Sequence, residues 1–214
     1  MRITHLGHAC ILVETGAARI LVDPGTYSHG FEELQDLDAV LVTHAHPDHV
    51  DVERLPLVLE ANDGAVLRAE PETAASLAQS GIDARALHVG DTLDVAGASI
   101  EAVGGRHAVI HDDLPRIGNV GLLVRSTGEP TLFHPGDSYA TTPGGVDVLA
   151  LPLNAPWAAS KEMVDFVRAI AASSGFPIHD ALLSPLGRTA YSSQARNLGG
   201  LELRDLAGAG PTEF

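Results

Sequence analysis

Short apolar runs broken by glycine, proline and polar turns set the rhythm of the chain. Residues 1–6, 9–14 and 19–22 are strand-length aliphatic segments separated by Gly7-His8 and Thr15-Gly16-Ala17. They predict an antiparallel meander that ends at Asp23-Pro24-Gly25. Between 26 and 38, Phe31, Leu34 and Leu37 recur at helical spacing over Glu32, Glu33 and Asp36, which predicts one short helix or turn. Ala39-Val40-Leu41-Val42 reads as a buried strand. Asp51 is placed to cap a turn that Pro56 interrupts, with a helix resuming to Glu60. Strands at 65–68 and 84–88 flank a helix at 72–79 opened by Pro71 and closed by Ser80-Gly81. That alternation predicts packed α/β layers.

The second half holds more strand. Segments 94–95, 98–103, 120–125, 131–134 and 146–151 are short apolar runs between glycine-rich turns and predict a second sheet. Ser160 is placed to cap a helix whose Met163, Phe166, Val167 and Ile170 form one apolar face. A short strand at 176–178 leads into His179. Beyond Ser184-Pro185 the chain reads as turn-rich, with a short helix at 192–197, a strand at 201–203 and no chemistry.

Composition narrows the possibilities. A chain of 214 residues that is 45% hydrophobic can bury one substantial core, so a single domain over 1–214 is expected. The net charge of −15 gives phosphate backbones no general attraction, which disfavours a nucleic-acid partner. Cys10 is the sole cysteine, which excludes an internal disulfide, and its apolar setting reads as a small buried residue. No run approaches the roughly 18 apolar residues of a membrane span, and the N-terminus lacks the order of a signal segment. These features predict a soluble, cytoplasmic protein with a small-molecule substrate and no membrane partner, and a homo-oligomer remains open.

Chemistry concentrates in Thr43-His44-Ala45-His46-Pro47-Asp48-His49. Alternation in an extended segment points His44 and His46 the same way, and Pro47 biases His46 away from helical dihedrals. Two ligands can therefore meet one ion, while Asp48 and His49, past the turn, suit a second. Downstream, Gly104-Gly105 lets the backbone turn so that His107 faces inward. Asp137, in Phe133-His134-Pro135-Gly136-Asp137-Ser138, sits at a strand-end glycine turn where a carboxylate can bridge two cations. His111, Asp112, Asp113 and Arg116 share a loop that either shapes a pocket or is simply solvated. Trp157, the sole tryptophan, lies in a proline-bounded loop and either walls a pocket or plugs the core. His8 and Asp23 both stand at strand ends, and Asp23 either orients a ligand histidine or closes the turn before Pro24.

The His44–His49 stretch resembles the HxHxDH motif of the metallo-β-lactamase fold superfamily. The resemblance runs from the first meander to His179 and implies a four-layer αβ/βα sandwich, with two mixed β-sheets flanked by helices. It implies that His44, His46 and His107 hold one ion, that Asp48, His49 and His179 hold another, and that Asp137 bridges them. It places His8, Asp23, His111, His134 and Trp157 around this centre as supporting or substrate-facing groups. Gly7-His8-Ala9, Asn119-Val120-Gly121 and Pro177-Ile178-His179 look similar to a lactonase-like branch that includes ascorbate-6-phosphate lactonase and relatives of N-acyl phosphatidylethanolamine phospholipase D. The implied activity is hydrolysis of a small ester, lactone, amide or phosphodiester by a dinuclear metal-bound hydroxide, with Asp48 as a ligand that also orients the water or takes its proton. Zinc leads in the affinity order, and manganese or iron also suits the N/O donor set. The rival from another class is a non-catalytic metal-binding or sensing module on the same fold.

Overall fold

The expected meander is present, and in the computed structural model, which describes residues 1–214, it opens the first of two sheets. In chain order the first-half elements are β1 (Arg2–His5), β2 (Ile11–Thr15), β3 (Ala18–Val22), β4 (Ala39–Val42), α1 (Leu55–Ala61), β5 (Val66–Ala69), α2 (Pro71–Gln79) and β6 (Arg85–Ala86). The second half adds β7 (Thr92–Val95), β8 (Ala98–Arg106), β9 (Gly118–Arg125), β10 (Leu132–His134), β11 (Val148–Pro152), α3 (Ser160–Ile170), β12 (Ser174–Ile178), α4 (Pro185–Asn197), β13 (Glu202–Leu203) and β14 (Thr212–Glu213).

Each sheet has seven strands, ordered β14-β1-β2-β3-β4-β5-β6 and β13-β12-β11-β10-β9-β8-β7. In the first sheet the pairs from β14 to β3 are antiparallel and those from β3 to β6 parallel. In the second the same division recurs, antiparallel from β7 to β10 and parallel from β10 to β13. The two halves thus share a topology that no sequence repeat announces.

Three apolar clusters define the layers. One, with Ile3, Ile20, Ile100, Leu122 and Phe176, fills the space between the sheets. A second packs Leu21 and Val40 against Leu55, Val58 and Leu77 of α1 and α2. The third packs Phe133 and Leu149 against Met163, Phe166 and Val167 of α3. Three interlayer cores require four layers, so the sandwich is αβ/βα as expected. β4 and β11 are buried along their whole length, as parallel strands covered on both faces must be.

Several local expectations change. Pro56 does not interrupt a helix, because it occupies the first turn of α1, where its missing N–H costs nothing. Asp51 caps the turn before α1, accepting from Glu53 and Arg54 N–H at 3.0 Å each. Ser160 is the first helical residue of α3 and not its cap; Ala159 takes that place, and its N–H donates to the Glu162 carboxylate at 3.3 Å. Gly104 and Gly105 make no turn; both stay paired with β9 inside the nine-residue β8. The region after Ser184 is a 13-residue helix, with Ser184 Oγ accepting from Gly187 N–H and Pro185 opening the first turn. The tail also returns as β14 to pair with β1.

The sheets meet at one rim. There Val120 N–H donates to Thr43 O at 3.0 Å, and His179 N–H donates to His8 O at 2.9 Å. These bonds lock the end of β4 to β9 and the β1–β2 turn to the end of β12.

Candidate metal centre

The ends of the parallel strands converge at that rim, where open α/β sheets place their ligands. Asp23 follows β3, Thr43 and His44 follow β4, Asp137 follows β10, and His179 follows β12. Three of the six non-glycine residues with positive φ stand here, namely His8 at 52°, Asp23 at 50° and His179 at 55°. Left-handed backbone in such residues costs roughly 1–2 kcal/mol each and persists only where the surroundings dictate it.

Two groups of donors result. His44, His46, His107 and Asp137 form one, and His8, Asp48, His49 and His179 form the other, with the ligand atoms of each within 4.8 Å of one another. His44 Nε2 and His46 Nδ1 approach to 3.1 Å, so these two imidazoles do share a face of the extended segment. Asp137 lies between the groups. Its Oδ1 is 3.1 Å from His49 Nε2, and its Oδ2 is 3.0 Å from His179 Nε2 and 3.4 Å from His107 Nε2.

The Nδ1 atoms of four imidazoles are engaged from behind. His49 Nδ1 donates to Asp23 Oδ2 at 2.7 Å, His107 Nδ1 to Ala108 O at 2.6 Å, and His179 Nδ1 to Asn154 O at 2.8 Å. His44 Nδ1 lies 3.1 Å from Thr43 Oγ1, whose hydroxyl donates to Asp23 Oδ2 at 2.7 Å. Nε2 therefore faces inward, the arrangement that supporting hydrogen bonds give metal-ligating histidines. Five buried side-chain polar atoms in the molecule lack a hydrogen-bond partner, and four of them are His49 Nε2, His107 Nε2, His179 Nε2 and Asp137 Oδ1. Orphaned donors and acceptors are costly when buried. Four that converge fit divalent cations of the N/O-seeking kind.

Charge is arranged accordingly. Burial opposes charge on His49, but Asp137 and Asp23 on either side override it and hold its pKa well above the imidazole range. His179 rises to about 9 in the same way, with burial outweighed by Asp137 and Asp48. Burial and the neighbouring histidines push His44 well down. Against burial, His49 and His179 keep Asp137 well below the carboxylate range, and hydrogen bonds from His179 and His8 keep Asp48 anionic.

The residues expected around the centre divide. His8 is buried, with Nε2 at 3.0 Å from Asp48 Oδ2, while Ala181 N–H donates to its Nδ1 at 3.3 Å. That second bond leaves the ring proton on Nε2, aimed at Asp48. Asp23 is fully buried and accepts from Thr43 N–H at 2.8 Å as well as from His49, so it does more than close a turn. Trp157 walls the site, donating its indole N–H to Asp137 Oδ2 at 2.8 Å. His134 is packed beneath: its Nε2 donates to Ala9 O at 3.1 Å and its Nδ1 accepts from Gly136 N–H at 3.2 Å, leaving no free nitrogen. His111 lies in solvent, bonded only within its own loop, and faces neither donor group. The sequence offers Asn119 only as part of a family likeness and gives it no role; its Oδ1 accepts from Asp137 N–H at 2.9 Å and its Nδ2 donates to Pro135 O at 3.0 Å. Its side chain fixes the glycine turn that presents Asp137, and a lone Asn inside a strand gives no such signal. A groove of about 420 Å³ opens beside Trp157, lined also by Arg116, Tyr139 and Phe166.

Comparison with known families agrees with this geometry. Residues 2–179 match the family described as beta-lactamase superfamily domain. The chain belongs to the metallo-β-lactamase superfamily. It is 50% identical over 192 residues to Protein Rv0786c of Mycobacterium tuberculosis, covering 89% of each chain. A UPF0173 metal-dependent hydrolase of Azorhizobium caulinodans is 33% identical over 150 residues, 64% of each chain. Among solved structures, Igni18, a metallo hydrolase of Ignicoccus hospitalis, superposes with a TM-score of 0.75 over 100% of this chain and 98% of that one. At 19% identity that likeness is one of fold. No helix of this metallo-β-lactamase superfamily member is long and apolar enough to cross a membrane.

Proposed function

We propose that this metal-dependent hydrolase of the metallo-β-lactamase superfamily works through two divalent ions and cleaves a small ester, lactone or phosphodiester. His44, His46 and His107 would hold one ion and Asp48, His49 and His179 the other, with Asp137 between them. The observation that carries this reading is the convergence of four orphaned buried atoms, one of them on the carboxylate that both donor groups share. Zinc is the ion proposed, on the affinity order for imidazole and carboxylate ligands. Two such cations supply a water acidified to near neutral pH and Lewis acids for the substrate's carbonyl or phosphoryl oxygen.

The chain's own residues do the rest. Asp48 is the most accessible of the carboxylates at the centre, its side chain about 21% exposed against 3% for Asp137, which puts it on the substrate side. His8 Nε2–H donates to Oδ2, which leaves Oδ1 without a protein partner as the atom that would take a proton from the attacking water. His8 holds the carboxylate in place while that proton moves. Trp157 closes one wall and orients Asp137 through its indole N–H, and the groove beyond it receives the substrate.

The test is hydrolysis of a panel of 4-nitrophenyl esters, lactones and bis(4-nitrophenyl) phosphate by zinc-loaded protein and by a His46→Ala/Asp137→Ala double variant. Turnover that falls at least about 1,000-fold in the variant supports the reading. Turnover equal in both proteins removes the mechanism, and metal bound without turnover of any substrate favours a sensing module.

A further inference from the structure

Arg116 is one of five arginines, with Arg68, Arg85, Arg168 and Arg196, that pair with no carboxylate, and of these five it alone lines the groove beside Trp157. The chain has 28 Asp and Glu against 13 Lys and Arg, so an arginine finds an acidic neighbour easily. Arg2, Arg19, Arg54, Arg106, Arg125, Arg188 and Arg204 all do. Arg116 pairs with none, although Asp112 and Asp113 share its loop. Its Nε donates instead to the backbone carbonyl of His107 at 2.5 Å, which ties this exposed side chain to the backbone of a proposed metal ligand. Nη1 and Nη2 are left without a protein partner.

Arg116 lies where the open space meets the centre. Arg116 lines the 420 Å³ groove with Trp157 and Tyr139, and it also lines a small recess shared with His46 and His107. The groove's other charges, Glu162 and Asp165, belong to α3, and Glu162 is engaged by the Ala159 N–H. Arg116 is therefore the groove's one cation, held at the end nearest the histidines. A tethered guanidinium with both amino groups free is built for a planar or tetrahedral oxyanion, which it binds by two parallel charged hydrogen bonds.

We propose that Arg116 is a specificity-determining residue that binds a carboxylate or phosphate carried by the substrate close to its scissile bond. The inference rests on the hydrolase reading and narrows it to anionic small molecules. Trp157, as the sole tryptophan and a wall of the same groove, reports binding without any need for turnover.

The experiment titrates zinc-loaded protein with succinate and, separately, with inorganic phosphate, following Trp157 fluorescence in wild type, Arg116→Gln and Arg116→Lys. The expected result is that Arg116→Gln weakens the preferred anion by about tenfold or more, as loss of a charged hydrogen-bond pair does. Arg116→Lys should recover part of the loss through its charge. The two anions distinguish a carboxylate site from a phosphate site. In parallel, kcat/KM for a 4-nitrophenyl ester bearing a free carboxylate is compared with that for its neutral methyl-ester analogue. Wild type should favour the anionic ester, and Arg116→Gln should abolish the preference through KM.

Equal anion affinity in wild type and Arg116→Gln overturns the proposal, since the ions alone would then be capturing the anion. Equal losses in Gln and Lys variants also overturn it, because both break the tether to His107 and the effect would be structural. Absence of turnover with either ester removes the hydrolase reading, while the fluorescence titration still decides whether Arg116 binds the anion.

Discussion

Asp23 shows how much of the site depends on residues behind it. One carboxylate accepts from Thr43 N–H, Thr43 Oγ1 and His49 Nδ1, so it sets the orientation of His49 directly and of His44 through the threonine hydroxyl. Asp23→Asn should lower metal affinity about 10- to 100-fold with the fold intact, measured by competition with a chromogenic chelator. Full metal affinity in that variant would assign Asp23 to the turn alone. Trp157→Phe keeps the aromatic wall and removes the N–H bond to Asp137, and a charged hydrogen bond of this kind is worth about 1.5–3 kcal/mol. Its kcat/KM should fall about tenfold or more, read in the same ester assay. At this scale the histidines and aspartates were legible because their spacing on an extended segment and at strand ends is itself a ligand geometry. Thr43, Asn119 and the indole N–H were not, because a hydroxyl, an amide or a ring in a loop has the same appearance in sequence whether or not it meets a metal ligand.

The turns at the strand ends carry the element-scale constraints. Gly136 has φ 60°, and a Cβ there would lie 2.2 Å from Asn119 Oδ1 and 3.0 Å from Thr43 Cβ. Gly136→Ala should therefore destabilise the protein by more than about 2 kcal/mol and reduce metal binding, checked by urea melts with and without zinc. Arg54 ties the metal loop to the 3-10 turn at Phe31–Glu33. It donates to Asp51 and Glu32 at 2.7 Å each, and to the carbonyls of Ser28 at 3.1 Å and Gly25 at 3.0 Å. Burial would raise the Asp51 pKa, but the Arg54 hydrogen bond lowers it on balance. A carboxylate with a depressed folded-state pKa contributes stability above its unfolded value of about 3.9 and loses it as pH falls through the lower folded value. Asp51→Asn should thus flatten the acid limb of stability below about pH 4, seen in Tm against pH. Most strands were legible from their apolar runs, whereas β14, Thr212–Glu213, has none. The α4 helix was not, because its hydrophobic face is thin and only Ser192 and Ala195 are buried, although Ser184-Pro185 marks its start.

On the scale of the whole molecule, two half-sandwiches of like topology bring their strand ends to one rim, and backbone bonds from Val120 to Thr43 and from His179 to His8 close the halves around the centre. The αβ/βα layering followed from the motif's resemblance more than from periodicity, because the halves share strand order without sharing sequence. If the two donor groups hold ions as proposed, metal uptake would be a proton-releasing event. His49 and His179 hold their protons above the usual imidazole range before ions bind and must give them up to ligate. Zinc affinity should accordingly keep rising with pH above the usual imidazole range, and calorimetry in buffers of different ionisation enthalpy should register proton release. A pH-independent affinity would contradict the assignment of these two imidazoles as ligands. Two ions held by the donor groups, with Asp137 between them, would show as metal content per chain. Protein purified without chelator and measured by elemental analysis should carry about two ions of zinc, manganese or iron per chain, as a two-metal site requires. One ion or none, persisting after reconstitution with zinc, would contradict this arrangement.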